Sequence, residues 1–180
     1  MNESLNIILN EMDILWQNFV NCRAHFPYVR SEMIGQVAAI TAPYYIKQGF
    51  HITFNFGEPL TEDIIKKINA IGHWINQNFI VRLCALLESH HILSNEIPID
   101  FELDGADDVD LVRRLRNYFA HSSGKYNSSK SEHRKTLKKM GTHLNVDIEN
   151  RIDFPLSIDT VIEPLFKGCK KYVENKIKTA

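Results

Sequence analysis

A capped apolar stripe that begins at position 61 and runs for about 30 residues constrains the fold more than any other feature of this chain. Thr61 has the side chain of an N-cap, Glu62 and Asp63 place negative charge in the first turn, and Leu60 with Ile65 has the spacing of a hydrophobic staple. Behind that cap Ile64, Ile68, Ile71, Ile75, Phe79, Leu83 and Leu86 or Leu87 recur every three or four residues. At 1.5 Å per residue the helix they predict is about 45 Å long. Its apolar face needs partner helices along its length, so it reads as the spine of a bundle.

The partners are visible as further periodic segments. Leu5, Ile8, Met12, Leu15, Phe19 and Cys22 predict a helix over 3–24, which Pro27 helps to end. Val29, Met33, Val37 and Ile40 continue that spacing and predict a second helix before Pro43. Asp107 or Asp108 can cap a helix carrying Leu111, Val112, Leu115 and Phe119, and Ser122-Ser123-Gly124 stops it. Ser129-Lys130-Ser131-Glu132 has capping-box spacing, although only Leu137 and Met140 follow as apolar residues before Gly141, which predicts a helix outside the core. Ser157 can cap a last helix bearing Val161, Leu165, Cys169 and Tyr172 or Val173, with Pro164 either kinking it or marking its first turn. The period changes to two over Phe50–Phe56 and again over Ile97–Leu103, which offers a small two-stranded ribbon between them. The expected fold class is therefore all-α: an antiparallel helical bundle over 59–180 with an N-terminal helical extension, 1–58, packed on it.

Composition supports this and narrows the setting. With 180 residues, 44% of them hydrophobic, and only 8 glycines and 6 prolines, the chain can bury a sizeable core and favours long elements over many turns. No apolar run is long enough for a membrane span, and Met1-Asn2-Glu3-Ser4 does not begin a signal peptide, so a cytoplasmic location without membrane contact is expected. Cys22, Cys84 and Cys169 are far apart and lie in amphipathic stretches, which reads as reduced core thiols.

The net charge of -1 proposes no nucleic-acid partner, but the distribution of charge does. Residues 94–112 hold seven Asp or Glu and no Lys or Arg; residues 113–143 hold nine Lys or Arg against Glu132 alone. Lys125, Lys130, Arg134, Lys135, Lys138 and Lys139 could neutralise successive phosphates of RNA. The ordinary alternative is a solvated helix face beside its own acidic neighbour.

The boundary between the two segments carries the string Leu111-Val112-Arg113-Arg114-Leu115-Arg116-Asn117-Tyr118-Phe119-Ala120-His121-Ser122. Cleavage of RNA by its own 2'-hydroxyl needs a base that titrates near neutrality, a cation for the charge developing on phosphorus, and an acid for the leaving oxygen. Histidine and arginine suit the first two tasks, and the reaction requires no metal or other cofactor. On an ideal helix Asn117 and Arg114 fall within about 40° of His121, whereas Arg116 lies about 140° away and must wrap its long side chain. A single histidine leaves one proton transfer unassigned, and an isologous homodimer that brings two copies of His121 into one cleft would supply it.

This string resembles the signature of the HEPN superfamily: an Arg, then four to six residues of which the first is often polar, then a His near a helix end. Arg116, Asn117 and His121 fit it, and Arg114 fits the looser spacing. The resemblance covers about residues 60–180. It implies a helical bundle, a metal-independent endoribonuclease acting as a dimer, and a role as a toxin or in phage defence, with a nucleotidyltransferase-like antitoxin as a further partner. Some toxin branches carry Tyr two residues after the His, where this chain has Ser123, so regulation through that Tyr is not implied. Glu88, on the long helix, could orient Arg116.

Two other readings stay open. The same bundle can be a catalytically silent RNA-binding or protein-interaction module, with Arg116 paired to Asp108 or Glu88 and His121 a polar helix end. Cys84, Glu88 and His91 share a helix face at i, i+4 and i+7 and could begin a metal site, although no partner ligand is evident. His133 and His143 read as solvated surface groups or alternative acids.

Overall fold

The computed structural model describes residues 3–26, 28–40, 49, 52–94, 96–121, 126–149 and 153–179. The fold is an all-α helical bundle with one small ribbon. Its helices are α1 (Glu3–His25), α2 (Glu62–Ser89), α3 (Ala106–His121), α4 (Ser131–Leu144) and α5 (Glu163–Thr179); the strands are β1 (Ala38–Ile40) and β2 (Thr53–Asn55). No helix among the described residues is long and apolar enough to cross a membrane.

The chain forms two compact units, Trp16–Ile75 and the remainder, Met1–Leu15 with Asn76–Ala180. The division falls inside α1 and α2 rather than at the 58/59 boundary that the sequence suggests.

Within Trp16–Ile75 the segment 29–40 is not a helix. A single 3-10 turn over Ser31–Met33 is followed by β1, which pairs antiparallel with β2 in the register Ala38↔Asn55 and Ile40↔Thr53. Helical spacing of the apolar residues is overridden here by long-range pairing: Gly35 and Phe56 donate to Leu60 and Val37, and Leu60 donates to Gln36. The ribbon thus takes its second strand from 38–40, not from 97–103. Val29, Leu60 and Ile65 form a small core backed by Met33, Phe56, Ile64 and Ile68. Asn69 secures Val29 by donating to its carbonyl and accepting from its N–H, both at 2.8 Å.

The start of α2 follows the local code. The Ile64 N–H donates to Thr61 Oγ1 at 3.3 Å, and Leu60 and Ile65 are both buried. The predicted stripe is interrupted, however: Ile71 is exposed, while Phe79, Leu83 and Leu87 are buried.

In the other unit α3 packs against α5 and α4. Residues 97–103 find no strand partner among the described residues. The Asp100 carboxylate accepts the Glu102 N–H at 3.0 Å, turning the chain, and the Asp100 N–H donates to the buried Tyr172 hydroxyl at 3.0 Å. Neither Asp107 nor Asp108 caps α3, because the helix begins one residue earlier, after Gly105 at φ +88°. A Cβ on Gly105 would lie 2.1 Å from the Gly168 carbonyl oxygen, and a Cβ on Gly168 would lie 2.1 Å from the Asp108 carboxyl carbon, so two glycines permit the close crossing of α3 on α5.

The capping box expected before α4 does not form: Lys130 occupies the cap position with no side-chain hydrogen bond, and Asn127 Oδ1 instead accepts from Ser129. Nor does α4 lie outside the core, since His133, Thr136, Leu137 and Met140 are buried and the helix runs through Gly141 to a left-handed Asn145. Before α5 one π turn, Ile158–Ile162, brings both Val161 and Ile162 N–H groups to the Ser157 carbonyl. The wider turn precedes Pro164, which lacks an N–H to continue the ordinary ladder and sits in the first turn of α5. Val161, Leu165, Cys169, Tyr172 and Val173 are buried as their spacing predicts. Cys84 and Cys169 are core thiols, but Cys22 is exposed.

Candidate functional site

Most of the charge that marks residues 94–143 is engaged inside the fold. Asp110 is 2% exposed and accepts from Arg113 at 3.0 Å, Arg114 at 2.7 Å and Lys139 at 2.8 Å. Burial works to raise its pKa, but hydrogen bonds from Lys139 and Arg114 outweigh that and hold the carboxyl below its ordinary value. The same contact with Asp110 strengthens the Arg114 cation against its partial burial. Lys139 also pairs with Asp107 at 2.8 Å, so it ties the first turns of α3 to the middle of α4.

Two residues away, Asp108 has the opposite character. Burial raises its pKa, opposed by the His143 imidazole at 2.9 Å. His143 is therefore a partner of Asp108 and not a free surface group. His133 also departs from the surface expectation. It is 2% exposed, its Nδ1 accepts the Asn127 N–H at 3.0 Å, and its ring lies against Tyr118, Tyr126 and Phe154 at 4.2, 6.0 and 5.7 Å. Desolvation, then the charge of Lys130, lowers its pKa, which favours the neutral ring. Three separate segments build this nest, so no local motif announces it.

The end of α3 is arranged differently. Arg116 is half-buried; it donates to Asn117 Oδ1 at 3.2 Å and lies 3.6 Å from Glu88. Glu88 in turn accepts from the Cys84 thiol at 3.8 Å, so α2 braces the guanidinium from behind. Of the two partners open to Arg116 in the sequence, the structure selects Glu88, while Asp108 takes His143. His121 is the last residue of α3, exposed, and its ring makes no hydrogen bond to any described residue. Arg114, though on His121's side of an ideal helix, is committed to Asp110 and lies 3.8 Å from Glu132. The arrangement leaves one imidazole without a hydrogen-bond partner among the described residues, a helical turn beyond a braced guanidinium and an amide.

Of the basic residues read as phosphate contacts, Lys139 is engaged with Asp107 and Asp110, and Lys135 pairs with Glu132 at 2.8 Å on the surface. Lys130, Arg134 and Lys138 are exposed and have no acidic partner among the described residues. Lys125 and Ser122–Gly124 lie outside the described residues.

Cys84 does not offer a ready thiolate: burial first, then the Glu88 charge, pushes its thiol up to about 12. His91 is exposed in a left-handed conformation at φ 55°. Among the described residues no three His, Cys, Asp or Glu side chains converge as metal ligands. Comparison with protein-family models, with curated proteins and with solved structures finds no match.

Proposed function

We propose that this chain is a metal-independent endoribonuclease of HEPN type, with its working groups at the C-terminal end of α3. The observation that carries the reading is the contrast between the exposed His121, whose ring has no hydrogen-bond partner among the described residues, and the Arg116–Asn117 pair held one turn before it by Glu88. In the proposed reaction His121 takes the proton from a 2'-hydroxyl, the freed oxygen attacks the adjacent phosphorus, and the bond to the 5'-oxygen breaks. Arg116 faces the negative charge that grows on the phosphoryl oxygens, and Asn117 positions the phosphate. A second His121, from another copy of the chain, returns a proton to the leaving oxygen, leaving a cyclic phosphate and a free 5'-hydroxyl. A role as a toxin or defence effector restrained by a nucleotidyltransferase-like antitoxin rests on the resemblance in Leu111–Ser122.

The test is cleavage of a mixed RNA pool in EDTA by the wild type, Arg116→Ala and His121→Ala, with the product ends identified. Each variant is expected to lose at least 100-fold in rate while folding as the wild type does, and wild-type products are expected to carry cyclic phosphates. Equal cleavage by all three proteins would remove Arg116 and His121 from the mechanism. A second reading, a silent RNA-binding or interaction module, is favoured by the ion pair that engages Arg116 with Glu88. It predicts that His121→Ala changes neither binding nor any RNA product.

A further inference from the structure

The basic residues of α4 divide between two flanks of one helix. With about 100° between successive residues, the buried face of α4 is centred near His133, with Thr136, Leu137 and Met140 within about 60° of it. Lys139 and His143 fall about 240° and 280° around from His133, on the flank that meets the acidic turns of α3, where they pair with Asp107, Asp108 and Asp110. Glu132 and Lys135 lie beside them and pair with each other. Arg134 and Lys138 fall about 100° and 140° around, on the opposite flank, with Lys130 at the cap. That flank holds three cations and no acid, and its members have no acidic partner among the described residues.

From this division we propose that Lys130, Arg134 and Lys138 form a phosphate-tracking surface for single-stranded RNA, and that Lys135 and Lys139 do not belong to it. The choice of RNA rests on the proposed function above; the choice of residues does not. Positions 134 and 138 are one helical turn apart, about 6 Å along the axis, close to the separation of successive phosphates on an extended strand. Arg134 is held in place by donation to the Ser128 carbonyl. Ser128 and Ser131 are exposed around the helix start, and their hydroxyls can donate to phosphate oxygens. Among the described residues of 126–149 no large hydrophobic side chain is exposed, so the flank lacks the apolar anchor that a protein partner would engage. Tyr126 is packed edge-on against Phe154 at 5.3 Å, so this surface would grip backbone and not stack bases.

The test is fluorescence anisotropy with a labelled 12-nucleotide oligouridylate over a salt series, in the His121→Ala background so that the probe is not cut. Lys130→Gln, Arg134→Gln and Lys138→Gln together are expected to weaken binding at least tenfold and to reduce the slope of log K against log salt by about 2, since each phosphate contact on a single strand contributes about 0.7. Lys135→Gln is expected to stay within twofold of its background, and thermal unfolding of the triple variant should match it. An unchanged slope in the triple variant, an equal loss in Lys135→Gln, or no binding by the background protein would overturn the proposal. So would preference for a duplex of the same length, or for polyglutamate over RNA. Cleavage by the wild type with an unaltered slope in the triple variant would retain the enzyme and reject this surface; a reduced slope with no cleavage by the wild type would retain the surface and reject the enzyme.

Discussion

Between Ala106 and Leu115, α3 is mostly buried and its carboxylates meet cations from its own next turn or from α4; from Arg116 to His121 the same helix turns polar side chains to solvent and gives them few partners. Charge density is higher in the first stretch, with five charged residues in ten, than in the second, yet it is the second that turns polar groups to solvent. Ions in the first stretch act as cross-links between α3 and α4, where the buried Asp110 gathers three cations. Density of charge along a sequence is thus a poor guide to a site; what decides is whether packing brings an opposite charge to meet it.

The largest test of this contrast targets the packed half. Gly168→Ala places a methyl group on the Asp108 carboxyl at 2.1 Å, where α3 crosses α5, and is expected to destabilise the protein by about 2–3 kcal/mol in urea unfolding. Gly141→Ala is its control: there the nearest atoms are side-chain carbons of Ile148 at 3.0–3.3 Å, which can shift, and the gain in helix propensity of about 1 kcal/mol offsets the crowding. Equal losses in both would mean that the crossing is not tight.

Next in size is Asp110→Asn. Removing this charge leaves Arg113, Arg114 and Lys139 without their shared partner. The three cations remain partly exposed, so the loss is expected near 2 kcal/mol, below the 3–5 kcal/mol of a fully buried pair. Acid should separate Asp110 from Asp108. The Asp110 carboxyl titrates below its ordinary 3.8 in the fold, so its contribution is present above that pH and fades as pH falls through the lowered folded value. Asp108 titrates above 3.8 in the fold, so it favours folding most when protonated, and stability declines as pH rises from 3.8 through its raised value. Asp108→Asn is expected to remove that decline, and Asp110→Asn the fall at lower pH, in unfolding curves taken from pH 3 to 7. His133 adds a further acid-side loss: its lowered pKa means that stability falls as pH drops from about 6.5 toward the folded value.

What the sequence made legible follows from how local each cause is. The cap at Thr61, the staple of Leu60 and Ile65, and the buried face of α5 are set by neighbours within a turn or two, and they stand as the spacing predicts. The segment 29–40 reads as a helix because Val29, Met33, Val37 and Ile40 satisfy helical spacing, while the hydrogen bonds that decide its conformation come from residues 53–60. His133 and His143 read as surface groups in the sequence because Tyr118, Phe154 and Asp108, which enclose or bind them, are distant along the chain. At the end of α3 the order Arg116-Asn117-His121 is legible, as is Glu88 as a candidate brace; that Lys139 is drawn to Asp110 is not, because it depends on which flank of α4 faces α3.

The smallest expected change in stability belongs to Glu88→Gln, and it carries the contrast furthest into function. Arg116 and Glu88 are 3.6 Å apart and partly exposed, so loss of the pair is expected to cost under about 0.5 kcal/mol, in the range of surface ion pairs. The amide keeps an oxygen that can accept from the Cys84 thiol, so the α2 core is left intact. If Glu88 serves to aim Arg116, the variant should nonetheless lower kcat for RNA cleavage several-fold with KM nearly unchanged, because an aimed guanidinium matters most when charge develops on phosphorus. Asp110→Asn should do the reverse, with a clear loss of stability and a near-normal kcat at a temperature where it is still folded. A Glu88→Gln protein as unstable as Asp110→Asn would show that both ends of α3 are held in the same way, and the distinction between its packed and its working half would fall.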